Sequence, residues 1–134
     1  MKLDQDKKSD LIRTASQARQ WAYVPYSRYA VGAALLSASG RLYDGVNMVN
    51  AAYPVTVCAE RVAIFKAVSN GERNFQAIAV VTKNGGMPCG SCRQVMAEFS
   101  PEMTVIVADE NENVVSESTL AALLPGAFRS DSLV

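Results

Sequence analysis

The sequence predicts an α/β fold, with a mixed five-stranded sheet carrying helices on both faces. Three observations predict it. Five short apolar runs have the length of strands, and the segments between most of them repeat apolar residues at helical spacing. The first two runs are joined only by a tight turn and can pair antiparallel, whereas strands separated by helices tend to run parallel. At 134 residues and 49% apolar composition the chain has the size of a single domain, residues 1–134.

Taken in order, about Asp6 to Trp21 reads as a packing helix: Leu11, Ile12, Ala15, Ala18 and Ala22 recur at helical spacing, and Asp6 is available as the N-cap. Pro25 then breaks it, since the residue before proline leaves the helical region. Tyr29 to Leu36 is apolar on both faces and reads as a buried strand, turned by Ala38-Ser39-Gly40 into a second strand, Arg41 to Asn47. The small residues of the first strand imply close packing over it. A loop follows to Pro54, and Thr56 is placed to cap a helix of about Val57 to Val68, apolar nearly all round and so expected to be central and buried. Asn70-Gly71 end it, and Phe75 to Thr82 reads as an interior strand. Gly85-Gly86 permit a sharp approach to a helix from Cys89 to Phe99, stopped by Pro101. Met103 to Ala108 is a fourth strand, Val114-Val115 a short fifth, and Ser118 to Leu124 a last helix before the tail Pro125 to Phe128.

Thirteen Lys and Arg balance thirteen Asp and Glu, so no basic field is present to hold a polynucleotide, and small neutral substrates fit better. The N-terminal stretch Met1 to Lys8 lacks the apolar core of a signal peptide and no apolar run reaches membrane-spanning length. Reduced thiols then make a cytoplasmic location the expectation.

The three cysteines fall in two stretches, Thr56 to Arg61 and Met87 to Gln94, and the chain has no histidine. A catalytic zinc takes three protein ligands and leaves one position for water, whereas a structural zinc is closed by four. Cys89 and Cys92, spaced i, i+3, share one face of a first helical turn, and Cys58 can supply a third sulfur from a second helix. Apolar filling of a core explains neither that spacing nor the acid two residues past Cys58. A disulfide framework is disfavoured by the odd count, and closure of the site by Glu60 is the lesser reading. With no histidine present, Glu60 is the one carboxylate in either stretch that can move protons. Two helix N-termini meeting at the metal, together with Arg61 and Arg93, would offset the negative charge of three thiolates.

A C-x-E followed about thirty residues later by P-C-x-x-C resembles the signature of the zinc-dependent deaminases. The wider pattern is more specific. Val24-Pro25-Tyr26-Ser27-x-Tyr29-x-Val31-Gly32-Ala33-Ala34-Leu35, Gly45-Val46-Asn47, Ala51-x-Tyr53-Pro54-x-Thr56-x-Cys58-Ala59-Glu60-Arg61, Pro88-Cys89-Gly90-x-Cys92-Arg93-Gln94-Val95 and Leu123-Leu124-Pro125-x-Ala127-Phe128 resemble the small, homotetrameric cytidine deaminases over nearly the whole chain. The resemblance implies a three-layer α/β/α sandwich, one Zn2+ per subunit, and hydrolysis of cytidine and deoxycytidine to the uridines with release of ammonia. It implies Cys58, Cys89 and Cys92 as ligands, Glu60 as proton shuttle and Arg61 as the arginine that hydrogen-bonds the ligand thiolates. The Ala59 amide would hold the pyrimidine carbonyl, Asn47 the ribose, and Tyr29 would lie near the base. Phe128 would reach a neighbouring subunit's pocket in a homotetramer with shared active sites.

One position departs from the family pattern. Where the family has Asn-x-Glu, with the glutamate on the sugar 3′-hydroxyl, Asn47-Met48-Val49 puts valine. A modified nucleoside or another aminopyrimidine is therefore the alternative substrate, as in the related blasticidin S deaminases. A polynucleotide deaminase would need a basic groove with stacking aromatics. A zinc-stabilised binding module is the non-enzyme alternative.

Overall fold

The sheet is built outward from two strands with almost no exposed residue. In the computed structural model, which describes residues 3–133, β1 (Gly32–Ser37) is buried along its whole length and β3 (Phe75–Val81) nearly so. Met1 and Lys2, part of the polar N-terminal stretch, and Val134 lie outside the described residues. With β2 (Leu42–Val46), β4 (Thr104–Ala108) and β5 (Val114–Thr119) they form one sheet in the order β2-β1-β3-β4-β5. The mixed five-stranded sheet is as expected, but only β3 and β4 run parallel. Chain connectivity explains the rest: β1 pairs antiparallel with both β2 and β3, and β5 returns antiparallel beside β4 after a tight turn with no helix between.

Alternation along the strands splits the core into two layers. Ala34, Leu36, Ala77, Ala79, Val81, Ile106 and Ala108 face α1 (Gln5–Ala18), which contributes Leu11, Ile12 and Ala15. Ala33, Leu35, Ile78, Val105 and Val107 face α2 (Ala59–Ser69) and α3 (Gly90–Phe99), where Ala63, Ile64, Ala67 and Met96 meet them. The result is the three-layer α/β/α sandwich. Gly32 shows why small residues stand in β1, for a Cβ there would collide with the Ala15 carbonyl of α1.

Several boundaries move from their expected places. Asp4, not Asp6, caps α1, accepting from the Lys7 amide at 2.8 Å, while Asp6 sits in the first turn where its charge complements the helix dipole. The first strand begins at Gly32 rather than Tyr29, because Tyr29 to Val31 are engaged by the side chain of Asn47 instead of a neighbouring strand. Thr56 does not cap α2; its hydroxyl accepts from the Asn50 amide and Cys58 takes the N-cap position. Helix α2 is buried only along Ala59, Glu60, Ala63, Ile64 and Ala67, and its outer face leaves Phe65 47% exposed. Ser118 and Thr119 extend β5, leaving the last helix, α4, only Leu120–Leu123, with Thr119 as its cap.

Candidate active site

Antiparallel pairing brings three strand ends to one edge. Gly32 is opposite both Val46 and Val81, so the end of β2, the start of β1 and the end of β3 lie side by side. The residues just outside them, Asn47, Tyr29 and Val31, and Thr82, line one cavity of about 220 Å3. Its remaining wall includes Thr56, Val57, Cys58, Ala59, Glu60, Val80, Gly86, Met87 and Cys89. Helices α2 and α3 begin at this same edge, with Cys58 and Cys89 as their N-caps and Cys92 in the first turn of α3. The approach to Cys58 is held by paired hydrogen bonds between Met48 and Val57, 3.0 and 3.1 Å.

Among the described residues, the Sγ atoms of Cys58, Cys89 and Cys92 lie within 4.8 Å of one another, and those of Cys89 and Cys92 are 3.5 Å apart. Zn–S bonds of about 2.3 Å in a tetrahedron separate the sulfurs by about 3.8 Å. Thiolates are also the soft donors that select zinc over hard cations. The donor set fits one zinc ion, and the three cysteines are free of disulfides.

The electrostatics favour a thiolate at Cys58. A hydrogen bond from the Cys92 thiol, aided by Arg61, draws Cys58 down to about 5 against the effect of burial. Cys92, holding the shared proton and desolvated, is pushed up. Arg61 places Nη2 3.4 Å from Cys58 Sγ, and the thiolate in turn raises the guanidinium. Its Nε is buried with no partner among the described residues. Glu60, only 4% exposed, has its carboxyl pushed above the usual carboxylate range, first by burial and then by the Cys58 charge, against hydrogen bonds from its own amide and Cys92. A buried carboxyl so perturbed, beside a metal-binding cluster and inside a cavity, has the character of a proton carrier.

The other expected site residues divide. Ala59 is fully buried at the first position of α2, where backbone N–H groups have no intrahelical acceptor. Asn47 is buried, with Oδ1 accepting from the Val31 amide at 2.9 Å and Nδ2 donating to the Tyr29 carbonyl at 2.8 Å. An amide retains one further N–H and one further lone pair for a ligand. Val49 lines an adjacent hollow with Tyr23, Met48, Asn50, Val55 and Val57, and only Val57 is common to both cavities. Phe128 is 60% exposed and is not part of the cavity wall, although its carbonyl accepts from Gln94 on α3. Arg93 braces the ligand loop, donating from Nε to the Pro88 carbonyl and from Nη1 to the Leu123 carbonyl, both at 2.8 Å. Thr82, Gly86 and Met87 also line the cavity, and no local motif marks them as cavity residues. The signal that could have found them is positional, since open α/β sheets bind ligands beyond the carboxyl ends of their strands.

A buried carboxyl next to a three-thiolate metal site, on helices that open onto a small cavity, defines the class of zinc-dependent hydrolytic deaminases. The model of the cytidine and deoxycytidylate deaminase zinc-binding region matches residues 5–108, and the chain belongs to that family. It is 50% identical over 125 residues to the cytidine deaminase of Sporosarcina psychrophila, covering 92% of each chain. It is 51% identical over 125 residues to that of Halalkalibacterium halodurans, covering 92% of this chain and 95% of the relative. Among solved structures, the cytidine deaminase from Burkholderia pseudomallei superposes with a TM-score of 0.85 at 43% identity, over 90% of this chain and 98% of that one.

Proposed function

We propose that the protein is a zinc-dependent cytidine deaminase, converting cytidine and deoxycytidine to uridine and deoxyuridine with release of ammonia. The observation that carries this reading is the buried Glu60 carboxyl set beside the Cys58, Cys89 and Cys92 cluster in the cavity wall. Relatives of about half-identical sequence named cytidine deaminase support the substrate.

Zinc held by the three cysteines would lower the pKa of a water to about 7 and so provide a nucleophile at neutral pH. Arg61 offsets the charge of the thiolates. Glu60 takes one proton from the attacking water and passes it to the ring nitrogen, then takes the proton of the hydroxyl now on C4 and delivers it to the departing amine as the C4–N bond breaks. One water is consumed and one ammonia released. The Ala59 amide, at the positive end of α2, holds the pyrimidine carbonyl. Asn47 uses its remaining polar capacity on the sugar, and Tyr29 walls the base.

A homotetramer with shared sites is part of this reading. Tyr26 and Tyr53 pack ring against ring, Tyr23 and Val55 line one hollow, and all four are exposed, more than single scattered apolar residues. The cavity is also smaller than the usual 300–1,000 Å3 of ligand sites, and Phe128 of another subunit would supply further wall. Zero net charge favours a free nucleoside over nucleic acid, and no described helix is long and apolar enough to cross a membrane. Thiolate ligands suit the reducing cytoplasm. The modified-nucleoside alternative, resting on Val49, and the binding-module alternative have less support, because the cytidine deaminase likeness covers nearly the full chain and Glu60 is buried and perturbed.

The test is loss of ultraviolet absorbance of cytidine, deoxycytidine, cytosine and blasticidin S with zinc-loaded protein. Rapid nucleoside turnover that falls by at least about 10²-fold in Glu60→Gln is expected. Absence of nucleoside turnover in folded, zinc-bound protein, or an unaffected Glu60→Gln variant, would overturn the reading.

A further inference from the structure

Tyr29 does more than line the cavity. Its phenolic hydroxyl donates to Asn84 Oδ1 at 2.7 Å, joining segments 55 residues apart. The same Asn84 oxygen faces the Thr82 hydroxyl at 3.4 Å, and Thr82 Oγ1 accepts from the Gly86 amide at 2.8 Å. Thr82 is buried, and Tyr29, Thr82 and Gly86 are all part of the cavity wall. The two ends of this chain are themselves anchored. Asn47 holds the Tyr29 carbonyl, and beyond Gly86 the Pro88 carbonyl, one residue before Cys89, is held by Arg93.

Gly86 is the tightest point. A Cβ at this position would collide with the Tyr29 hydroxyl oxygen, but the next nearest atoms, Tyr29 Cζ and Asn84 Oδ1, would stand at ordinary contact distances of 3.6 and 3.7 Å. Gly86 is not among the glycines with positive φ, so its backbone accepts alanine. The obstacle to a side chain at 86 is therefore the one oxygen atom that a phenylalanine at 29 would lack.

We propose that the Tyr29 hydroxyl, Asn84 and Gly86 form a latch that sets the width of the substrate cavity beside Cys89. Tyr29 thereby acts as a positioning residue through its hydroxyl, separately from any contact of its ring with the base. Asn84 is a positioning residue that touches no reacting atom. The latch acts on the cavity wall rather than on Glu60, so its loss weakens substrate binding more than turnover.

This inference rests on the cytidine deaminase reading, and two readouts keep the failures of each apart: cytidine kinetics, and the rate at which zinc passes to a chelator. Losing one neutral hydrogen bond corresponds to roughly a threefold to tenfold effect. Tyr29→Phe and Asn84→Ala are each expected to raise KM by about that factor with kcat within about twofold, and their combination to add nothing further, as for residues acting through one bond. Asn84→Asp, which keeps an acceptor oxygen, recovers most of the loss seen in Asn84→Ala. Gly86→Ala raises KM and speeds zinc release in the native background, while Tyr29→Phe/Gly86→Ala is no worse than Tyr29→Phe alone in either readout. Melting temperatures establish that each variant is folded. Additive effects of Tyr29→Phe and Asn84→Ala, a loss confined to kcat, or a Gly86→Ala defect of equal size with and without the Tyr29 hydroxyl would each overturn the latch. If no variant turns over cytidine, the function reading fails, and the zinc-release rates still decide whether Gly86→Ala depends on the Tyr29 hydroxyl.

Discussion

Gly45 offers a direct way to move the catalytic helix without touching a catalytic side chain. It lies in β2 under α2, and a Cβ added there would stand 2.5 Å from the Ala59 carbonyl oxygen, 2.6 Å from the Ala63 nitrogen and 3.1 Å from Val62 Cβ. The two closest atoms are backbone, so no change of rotamer relieves them. Ordinary contact begins at about 3.4 Å, and α2 must lift from β2 by roughly 1 Å near its N-terminus. That end carries Cys58, Ala59 and Glu60. Overpacking of this kind costs about 1–3 kcal/mol, and a displacement of about 1 Å in a catalytic group lowers turnover by on the order of 10²-fold. Gly45→Ala is therefore expected to lower the urea midpoint of the zinc-loaded protein and to reduce kcat for cytidine by about 10- to 100-fold. Adding Val62→Ala keeps the Cβ at that position and both backbone atoms, so it relieves none of the three contacts and does not restore activity. Steady-state kinetics with metal content measured on the same samples provide the assay. A Gly45→Ala protein with native kcat and an unchanged urea midpoint would refute the claim that backbone contact at this point positions the site.

Three further outcomes are expected. The Glu72 carboxylate accepts from Ser37 Oγ at 2.6 Å, Ser39 Oγ at 2.7 Å and the Tyr43 hydroxyl at 3.0 Å, and the serine hydroxyls chiefly hold its pKa below the usual value. A depressed folded pKa contributes stability above the unfolded value of about 4.3 and loses it as pH falls through the folded value. Glu72→Gln is thus less stable than the native protein at pH 7, with the gap in urea midpoint narrowing below about pH 4; a pH-independent gap would contradict this. Chelation of zinc from the three-thiol site should lower the melting temperature by roughly 10–20 °C, the shift for metal at about a thousandfold its Kd, with zinc and not magnesium restoring it. Val49→Glu, placing a carboxylate in the hollow beside Val57, should raise kcat/KM for cytidine by on the order of tenfold without a matching gain for cytosine; no gain, or an equal gain for base and nucleoside, counts against a sugar-binding role at this position.

Local rules determined a good part of this protein from its sequence alone. The spacing of Cys89 and Cys92 in one helical turn, the acid two residues beyond Cys58, and the apolar runs of β1, β3 and β4 depend on neighbours within a few residues, and each is present in the fold, β1 starting later than its apolar run. Likeness to a known family pointed to Asn47 and Ala59, which lie in the cavity wall, and to Arg61, which lies beside Cys58 Sγ. The antiparallel returns of β3 to β1 and of β5 to β4 were decided only in three dimensions, because strand pairing is a contact between distant segments that local pattern does not encode. So were the outward face of α2 at Phe65, the placement of Val49 in a neighbouring hollow, and the wall formed by Thr82 and Gly86. Tyr29 and Asn84 are 55 residues apart, and nothing in either stretch alone signals a hydrogen bond between them. That contact exists because packing aligns the start of β1 with the end of β3.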